Sequence, residues 1–195
     1  MRTHLCPNGS LSRVSLHSLL TFAEKNSTLS FRILHFISLI MSPCTIIDYA
    51  DRHQPVFKEL NVEWLDHYNL TESHDLQILD DPRGTILEHG GVIYLAQCDS
   101  RIVGSAALMK AHDGVFELAK MAVAKEYQKM GISKLLLEKC IEKAKALKAS
   151  KVTLFSNHQL KAALGLYEKY GFQHVPVKDS PFLTADVKME LILCL

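Results

Sequence analysis

Three stretches of alternating apolar and polar residues follow one another closely in the middle of the sequence. They are Val92–Gln97, Ile102–Met109 and Val115–Val123. Alternation with a period of two is typical of β-strands. The stretches are separated by turn segments centred on Asp99-Ser100 and Asp113-Gly114, and connections this short join neighbouring antiparallel strands. The sequence therefore predicts an antiparallel meander of three strands.

An amphipathic helix is predicted soon after the meander. Its apolar face consists of Ile132, Leu136, Cys140, Ala144 and Leu147, widened by Leu135, Leu137 and Ile141. The opposite face carries mainly lysine and glutamate, which we interpret as a solvated surface. Val152–Phe155 then forms a short buried strand. A strand–helix–strand connection of this kind places its two strands parallel in one sheet.

Weaker patterns complete one domain of the α/β (α+β) class. Further strands are expected at Thr45–Asp48, Phe172–Val175 and Val187–Leu193, and helices at Ala50–His67 and Lys161–Tyr170. The polar segment Asn69–Gly91 should hold loops and a short helix. Gly171 is placed to end the second of these helices in the left-handed conformation. The expected fold is a mixed, mainly antiparallel sheet with helices on both faces.

The first 40 residues differ in composition from the rest of the chain. They are rich in serine and leucine and carry four basic residues against one acid, namely Arg2, Arg13, Lys25, Arg32 and Glu24. The apolar run Phe31–Met41 is too short to span a bilayer. This composition matches an organelle transit peptide, but a disordered lead or an over-extended reading frame is the interpretation we favour. We expect the domain itself at residues 41–195, after an extension at 1–40.

Charge, histidines and cysteines bear on the class of function. The net charge of +1 gives no general reason to expect a nucleic-acid or membrane partner. The ten histidines form no HExxH or similar pattern, so we expect no metal. The five cysteines are scattered, which favours thiols in a reducing, cytoplasmic compartment over a disulfide framework. We interpret Cys98 and Cys140 as small buried apolar residues, not nucleophiles.

The motif Gln128-x-x-Gly131-x-Ser133 stands at the start of the predicted amphipathic helix. The first N–H groups of a helix lack intrahelical partners, so a tight turn leading into them can surround a pyrophosphate with donors. Gly131 would let the backbone approach closely, Gln128 would brace the loop, and the Ser133 hydroxyl would donate to a phosphate oxygen. An ordinary strand–turn–helix corner is the alternative, and the motif alone does not decide between them.

Two neighbouring segments together resemble the GNAT superfamily of acetyl-CoA-dependent N-acetyltransferases. Their sequences are FELAKMAVAKEYQKMGISKLL at 116–136 and LFSNHQLKAALGLYEKYGF at 154–172. The phosphate motif of that family is Gln/Arg-x-x-Gly-x-Gly/Ala. Gln128 and Gly131 match it, whereas Ser133 departs from it by a small side chain. The resemblance covers roughly residues 45–193 and is densest over 115–175.

The resemblance implies acetyl-CoA as the acyl donor. Its pantetheine would lie in a gap where Leu118–Val123 splays from Val152–Phe155 and would pair with the backbone of Met121 and Val123. Its pyrophosphate would lie on the N–H groups of the loop at 128–134, and Asn157 would contact the cofactor arm. The implied cofactor-binding residues are Met121, Ala122, Val123, Gln128, Lys129, Met130, Gly131, Ile132, Ser133, Lys134 and Asn157.

The resemblance also implies Tyr167 and Glu117 as catalytic residues. A primary amine would attack the thioester directly, Tyr167 would protonate the leaving thiolate, and an N–H near Val123 would stabilise the oxyanion. Family members often use a glutamate at the position of Glu117 as base, directly or through water. The pleat should turn Glu117 away from Phe116 and Leu118. A carboxylate on the solvent face is the alternative.

The acceptor pocket is expected from the helix at 57–68, the loops at 69–91 and the segment 182–186. Trp64, Tyr68, Glu72 and Asp75 are candidate lining residues. Their spacing identifies no particular amine, so small-molecule and peptide acceptors both stay open, for a monomer or a homodimer. A non-catalytic sensor that binds acyl-CoA is the alternative from another class.

Overall fold

The computed structural model describes residues 44–178 and 180–193 of this 195-residue chain. Seven strands are present in this part: Thr45–Asp48 (β1), Val92–Cys98 (β2), Arg101–His112 (β3), Val115–Val123 (β4), Lys151–Ser156 (β5), Gln173–Val175 (β6) and Val187–Ile192 (β7). Its four α-helices are Gln54–His67 (α1), Ser73–Asp80 (α2), Ile132–Ala146 (α3) and Lys161–Lys169 (α4). The extension expected at 1–40 lies outside the described residues.

The strands form one mixed sheet in the order β1-β2-β3-β4-β5-β7-β6. Among the described strands, only β4 and β5 pair in parallel, and every other neighbouring pair is antiparallel. The predicted meander of β2, β3 and β4 is therefore confirmed. In its first turn Asp99 and Ser100 both have positive φ, as a two-residue hairpin turn of the favoured type requires.

Each face of the sheet packs against helices, as expected. On one face α3 buries Ile132, Leu136, Leu137, Cys140 and Ala144 against alternate residues of the central strands. On the other face Phe57 of α1 and Leu79 of α2 pack with Leu95 and Ala107. The apolar stripe of α3 is narrower than predicted, since Leu135 and Leu147 are each 41% exposed.

Several element boundaries differ from the predicted ones. The helix expected from Ala50 begins at Gln54, because Pro55 favours the first helical turn and residues 51–53 form a separate 3₁₀ turn. The polar segment at 69–91 contains α2 and a π-helical turn, Arg83–Leu87. Gly171 follows α4 with a φ of 88°, which confirms the left-handed end. Within the described residues, no helix has the length and apolarity needed to cross a membrane.

A disulfide joins Cys44, just before β1, to Cys98 at the end of β2. The expectation of unpaired thiols is therefore wrong for this pair. The antiparallel register sets Thr45 opposite Gln97 and so brings together two cysteines that are 54 residues apart in sequence. Spacing along the chain carries no such information. Cys140 is free and buried, as predicted, whereas Cys6 and Cys194 lie outside the described residues.

We predict opposite stability changes for alanine at two glycines. A Cβ at Gly91 would lie 2.7 Å from the Leu108 carbonyl oxygen and 2.8 Å from that of Ile86. Because backbone cannot yield as a side chain can, Gly91→Ala should destabilise the protein by about 1–3 kcal/mol. Gly165 lies inside α4 with open space around it, so Gly165→Ala should stabilise by about 0.5–1 kcal/mol. Urea denaturation measures both, and an unchanged midpoint for Gly91→Ala would contradict the packing described here.

Candidate active site

A cleft opens where β4 and β5 separate. The two strands are in register only from Val115, opposite Lys151, to Glu117, opposite Thr153. Beyond that point, within the described residues, β4 has no strand paired on its β5 side, and a cleft of about 860 Å³ lies there. The splayed parallel pair expected from the sequence is thus present. The backbone N–H and C=O groups of β4 that would otherwise form hydrogen bonds with a neighbouring strand are therefore available to a ligand.

The loop before α3 has the geometry of an anion-binding turn. Lys129 and Gly131 both have positive φ, 63° and 83°, and Gly131 directly precedes the first helical residue. Consecutive N–H groups in such a turn can converge on an anion, and the start of a helix favours negative charge. A Cβ at Gly131 would meet no atom within 4 Å, so the residue faces open space. The Gln128 amide donates to the Val123 carbonyl at 3.2 Å, which is the bracing contact predicted for it.

All but one of the predicted cofactor-binding residues line this cleft. Those that do are Met121, Ala122, Val123, Gln128, Lys129, Gly131, Ile132, Ser133, Lys134 and Asn157. Met130 does not line it, and its side chain is half exposed. Among the described residues, no cluster of three or more histidine, cysteine or acidic side chains could hold a metal ion. Contact of the lining residues with a cofactor stays a prediction.

Asn157 makes two contacts that the sequence did not indicate. Its side-chain amide donates to the Thr184 carbonyl at 2.7 Å, and its side-chain oxygen accepts from the Gln159 N–H at 3.0 Å. The side chain is therefore partly committed to fastening the segment before β7 onto the end of β5. This leaves one amide hydrogen and one oxygen lone pair for the predicted contact with a cofactor arm.

Tyr167 projects from α4 into the cleft. It is 8% exposed, and its ring lies 5.8 Å from that of Phe172, centroid to centroid. Burial, with a smaller effect of Cys140, raises the pKa of the Tyr167 hydroxyl above its ordinary value. The hydroxyl forms no hydrogen bond within the described part of the chain. It is thus a protonated group at neutral pH that is available to a ligand.

Glu117 also lines the cleft and is the last residue of β4 that pairs with β5. Phe116 and Leu118 belong to the core beneath α3, so the pleat turns Glu117 to the opposite face, as predicted. Burial raises its pKa to about 6, although the charges of Lys120 and Lys188 act to lower it. It is therefore a half-buried carboxylate in a cleft, not the solvent-face carboxylate considered as the alternative.

Lys120 occupies a β-bulge that sequence reasoning missed. Ala107 pairs with Ala119 but Ser105 pairs with Ala122, so two residues of β4 lie opposite one residue of β3. Lys120, the first of the two, has a φ of 50°. A bulge bends the strand and re-aims a side chain. Here it directs Lys120 towards α2, where its ammonium group forms an ion pair with Asp75.

The ion pair between Lys120 and Asp75 is buried and supported by further contacts. Its side chains are only 4% and 7% exposed, and the ammonium group lies 5.2 Å over the Phe182 ring. Ser105 donates to the Lys120 carbonyl at 2.9 Å, and Asn61 donates to Ser105 at 3.0 Å. A lysine inside the apolar strand sequence Leu-Ala-Lys-Met-Ala-Val was the signal that could have revealed the bulge.

The expected acceptor pocket is only partly as predicted. Trp64, Tyr68 and Asp75 line the cleft, but Glu72 does not. Instead, the Glu72 carboxylate accepts hydrogen bonds from the Leu183 N–H at 2.9 Å and from the Thr184 N–H and hydroxyl at 2.7 Å each. Burial acts to raise the pKa of Glu72, but these hydrogen bonds lower it overall. Glu72 therefore holds the segment that contains Phe182 against the start of α2.

Comparison with known proteins agrees with this geometry. The family model described as "Acetyltransferase (GNAT) family" matches residues 54–172. An uncharacterized N-acetyltransferase of Bacillus subtilis strain 168, YvbK, is 31% identical over 115 residues, which are 57% of this chain and 74% of that protein.

Solved structures show the same fold. A GNAT-family acetyltransferase from Staphylococcus aureus Mu50 superposes with a TM-score of 0.73 at 23% identity, over 78% of this chain and 100% of that one. The PaiA N-acetyltransferase from Thermoplasma acidophilum, solved in complex with coenzyme A, has a TM-score of 0.64 at 17% identity and the same coverage. The chain belongs to the GNAT family of acetyltransferases and is an enzyme of the transferase class.

We predict that Gly131→Ala weakens the binding of acetyl-CoA while the matched variant Gly171→Ala does not. Both glycines have φ above 80°, so both substitutions strain the backbone by about 1–2 kcal/mol. Only Gly131 belongs to the cleft. Loss of even one charge-assisted hydrogen bond, about 1.5–3 kcal/mol, would lower affinity by more than tenfold. Calorimetric titration with acetyl-CoA compares the two, and equal affinities would contradict a phosphate site at this loop.

We also predict that Glu117→Gln stabilises the protein at pH 8. The folded-state pKa is raised from the ordinary 4.5 to about 6, so the folded state binds protons more tightly than the unfolded state. Stability then falls as pH rises through this window, by roughly 2 kcal/mol in total. Glutamine resembles the protonated acid and avoids this loss. Unfolding at pH 8 and at pH 4.5 tests the effect, which should vanish at the lower pH. Glu59→Gln, at an exposed position of α1, is the control and should change little at either pH.

Proposed function

We propose that this enzyme transfers the acetyl group of acetyl-CoA to a primary amine by direct attack. The observation that carries the proposal is the cleft between β4 and β5. A turn suited to phosphate stands at one end, and two groups suited to proton transfer, Glu117 and Tyr167, line the same cavity. The match to the acetyltransferase family supports acetyl-CoA as the donor.

In this proposal the donor lies along the open side of β4. Its pyrophosphate binds the N–H groups at 128–134, and its pantetheine amides pair with the backbone of Met121 and Val123. The backbone groups of β4 that have no partner on the β5 side support this pose. The peptide-like amides of pantetheine can form the hydrogen bonds that a neighbouring strand would otherwise form. The thioester would reach the region between Glu117 and Tyr167.

The proposed chemistry moves one acetyl group and balances two protons. Glu117, directly or through a water molecule, accepts a proton from the acceptor amine, and the nitrogen attacks the thioester carbon. A β4 N–H near Val123 stabilises the oxyanion. The C–S bond then breaks and Tyr167 donates its proton to the sulfur, so that the products are an N-acetyl amide and free thiol. A base with a pKa of about 6 is well matched to neutral pH.

Among the cysteines of the described residues, none is suited to form an acyl-enzyme. Burial raises the pKa of the Cys140 thiol to about 12, so it stays protonated and packed beneath α3. Cys98 is held in the disulfide. Direct attack by the amine therefore needs fewer assumptions than transfer through a thiol.

A small acceptor is favoured over a peptide. The segment Phe182–Ala185 lines the acceptor side and is fastened there by Glu72 and Asn157. A long peptide would need an open groove at this place. An acyl-CoA sensor without turnover is the remaining alternative, and the measurement of thiol release with a panel of amines distinguishes the two.

We predict that Tyr167→Phe lowers kcat by about 10- to 100-fold, at the low end for general acid catalysis, because a thiolate is a fair leaving group. The ring and its packing on Phe172 are kept, so acetyl-CoA affinity should change little. Tyr170→Phe is a matched control, since its hydroxyl donates to Glu138 at 2.6 Å and does not line the cleft. Steady-state thiol release at saturating acetyl-CoA measures both.

Full kcat in Tyr167→Phe would show that Tyr167 is a packing residue and that another group protonates the sulfur. Absence of turnover by the unmodified enzyme with every amine and peptide in the panel, together with intact acetyl-CoA binding, would favour the sensor.

A further inference from the structure

Aromatic rings make up much of the cleft around Glu117. Trp64 lies in α1 and Tyr68 directly follows that helix, with ring centroids 5.3 Å apart. Phe155 from β5 and Phe182 from the segment before β7 lie 6.4 Å apart and also line the cleft. Aromatic side chains offer a large apolar surface with favourable stacking geometry. A ligand that reaches Glu117 therefore meets rings on several sides.

The charges in this part of the cleft largely cancel. Lys120 would be the natural partner of a ligand carboxylate, but its ammonium group is already paired with Asp75 and covered by the Phe182 ring. Lys188 lies 5.1 Å over the Phe155 ring and does not line the cleft. Near these rings the described charged lining residues are Asp75, Lys120 and Glu117, and of these Glu117 is the one without an oppositely charged hydrogen-bonding partner. The other charged lining residues lie in the loop before α3, in α3 and in α4, namely Lys129, Lys134, Lys161 and Lys169.

We propose that the acceptor is a primary amine on an uncharged aromatic or apolar body, with no carboxylate and no second amine. This rests on the proposed function, because it names the acceptor of that same site. The amine would approach Glu117, and the body would pack on Trp64, Tyr68 and Phe182.

A carboxylate on the acceptor would be disfavoured at this site. It would lie near the Glu117 carboxylate in a partly dry pocket, where like charges repel strongly and an unpaired charge is costly to bury. Lys120 could compensate for it only by leaving Asp75 without its partner. A second amine would be disfavoured as well, because the other lining carboxylate, Asp75, is already neutralised.

The experiment compares kcat/KM for acceptors that differ in one group. Phenethylamine and phenylalanine differ by the carboxylate, and phenylalaninamide supplies similar bulk without the charge. We expect phenethylamine to exceed phenylalanine by about tenfold or more, with phenylalaninamide closer to phenethylamine. Spermidine should be poorer than phenethylamine. Preference for phenylalanine or for spermidine would overturn the inference.

A pair of variants tests the part played by the ion pair. Asp75→Asn leaves Lys120 charged and without its partner, so the ratio of phenethylamine to phenylalanine should fall by about tenfold. Asp75→Asn combined with Lys120→Met restores neutrality and should keep the original ratio. An unchanged ratio in a folded Asp75→Asn variant would overturn the claim that neutralised Lys120 excludes carboxylates. Should that variant not fold, the double variant still decides, since a ratio shifted towards phenylalanine there would overturn the same claim.

Different results would contradict the acceptor class and the proposed function. If amines are acetylated but amino acids are preferred, the proposed function stands and only the acceptor class is wrong. If acetyl-CoA binds and no acceptor yields free thiol, the proposed function fails with it.

Discussion

The site depends on an interruption of the hydrogen bonds between two neighbouring strands, β4 and β5, in the middle of the sheet. β4 pairs with β5 over three positions and then separates, which leaves backbone donors and acceptors that a protein interior would normally satisfy. The bulge at Lys120 lies just beyond the last paired position and adds twist and bend to β4. Its backbone strain is offset locally, because the Lys120 carbonyl accepts from Ser105 and its ammonium group is paired with Asp75. The splay is thus supported from the face that carries α1 and α2.

The same region keeps one carboxylate in an unfavourable environment. Burial raises the pKa of Glu117 to about 6, which costs stability at neutral pH. The same pKa would suit the general base that we propose for this residue. Lys120 and Lys188 limit the rise without forming a salt bridge to Glu117, so its oxygens stay available. A direct ion pair would lower the pKa further and occupy the group. The environment of Glu117 thus lowers stability slightly and leaves the carboxylate without a salt bridge among the described residues, a combination that is common at functional sites.

Much of the fold followed from local patterns. Three local patterns each predicted a structure from residues that are close in sequence. They are the alternation in β2, β3 and β4, the helical period of α3 and the position of Gly171. The bulge did not follow from such a pattern. Strict alternation would place Lys120 on the same face as Phe116 and Leu118, whereas its side chain lies on the opposite face, next to Asp75. The disulfide did not follow either, since it depends on the register between β1 and β2. The hydrogen bonds of Glu72 link residues more than a hundred positions apart, and no local pattern encodes such a contact.

The segment Phe182–Ala185 connects the two halves of the site physically. Its backbone is held by Glu72 on the acceptor side and by Asn157 at the end of β5, where the resemblance to the family implies contact with the cofactor arm. His158 adds a contact from its N–H to Asp186 at 2.8 Å. Phe182, at the start of this segment, lies over the Lys120 ammonium group, so the segment that Glu72 and Asn157 hold in place also covers the buried ion pair of Lys120 and Asp75.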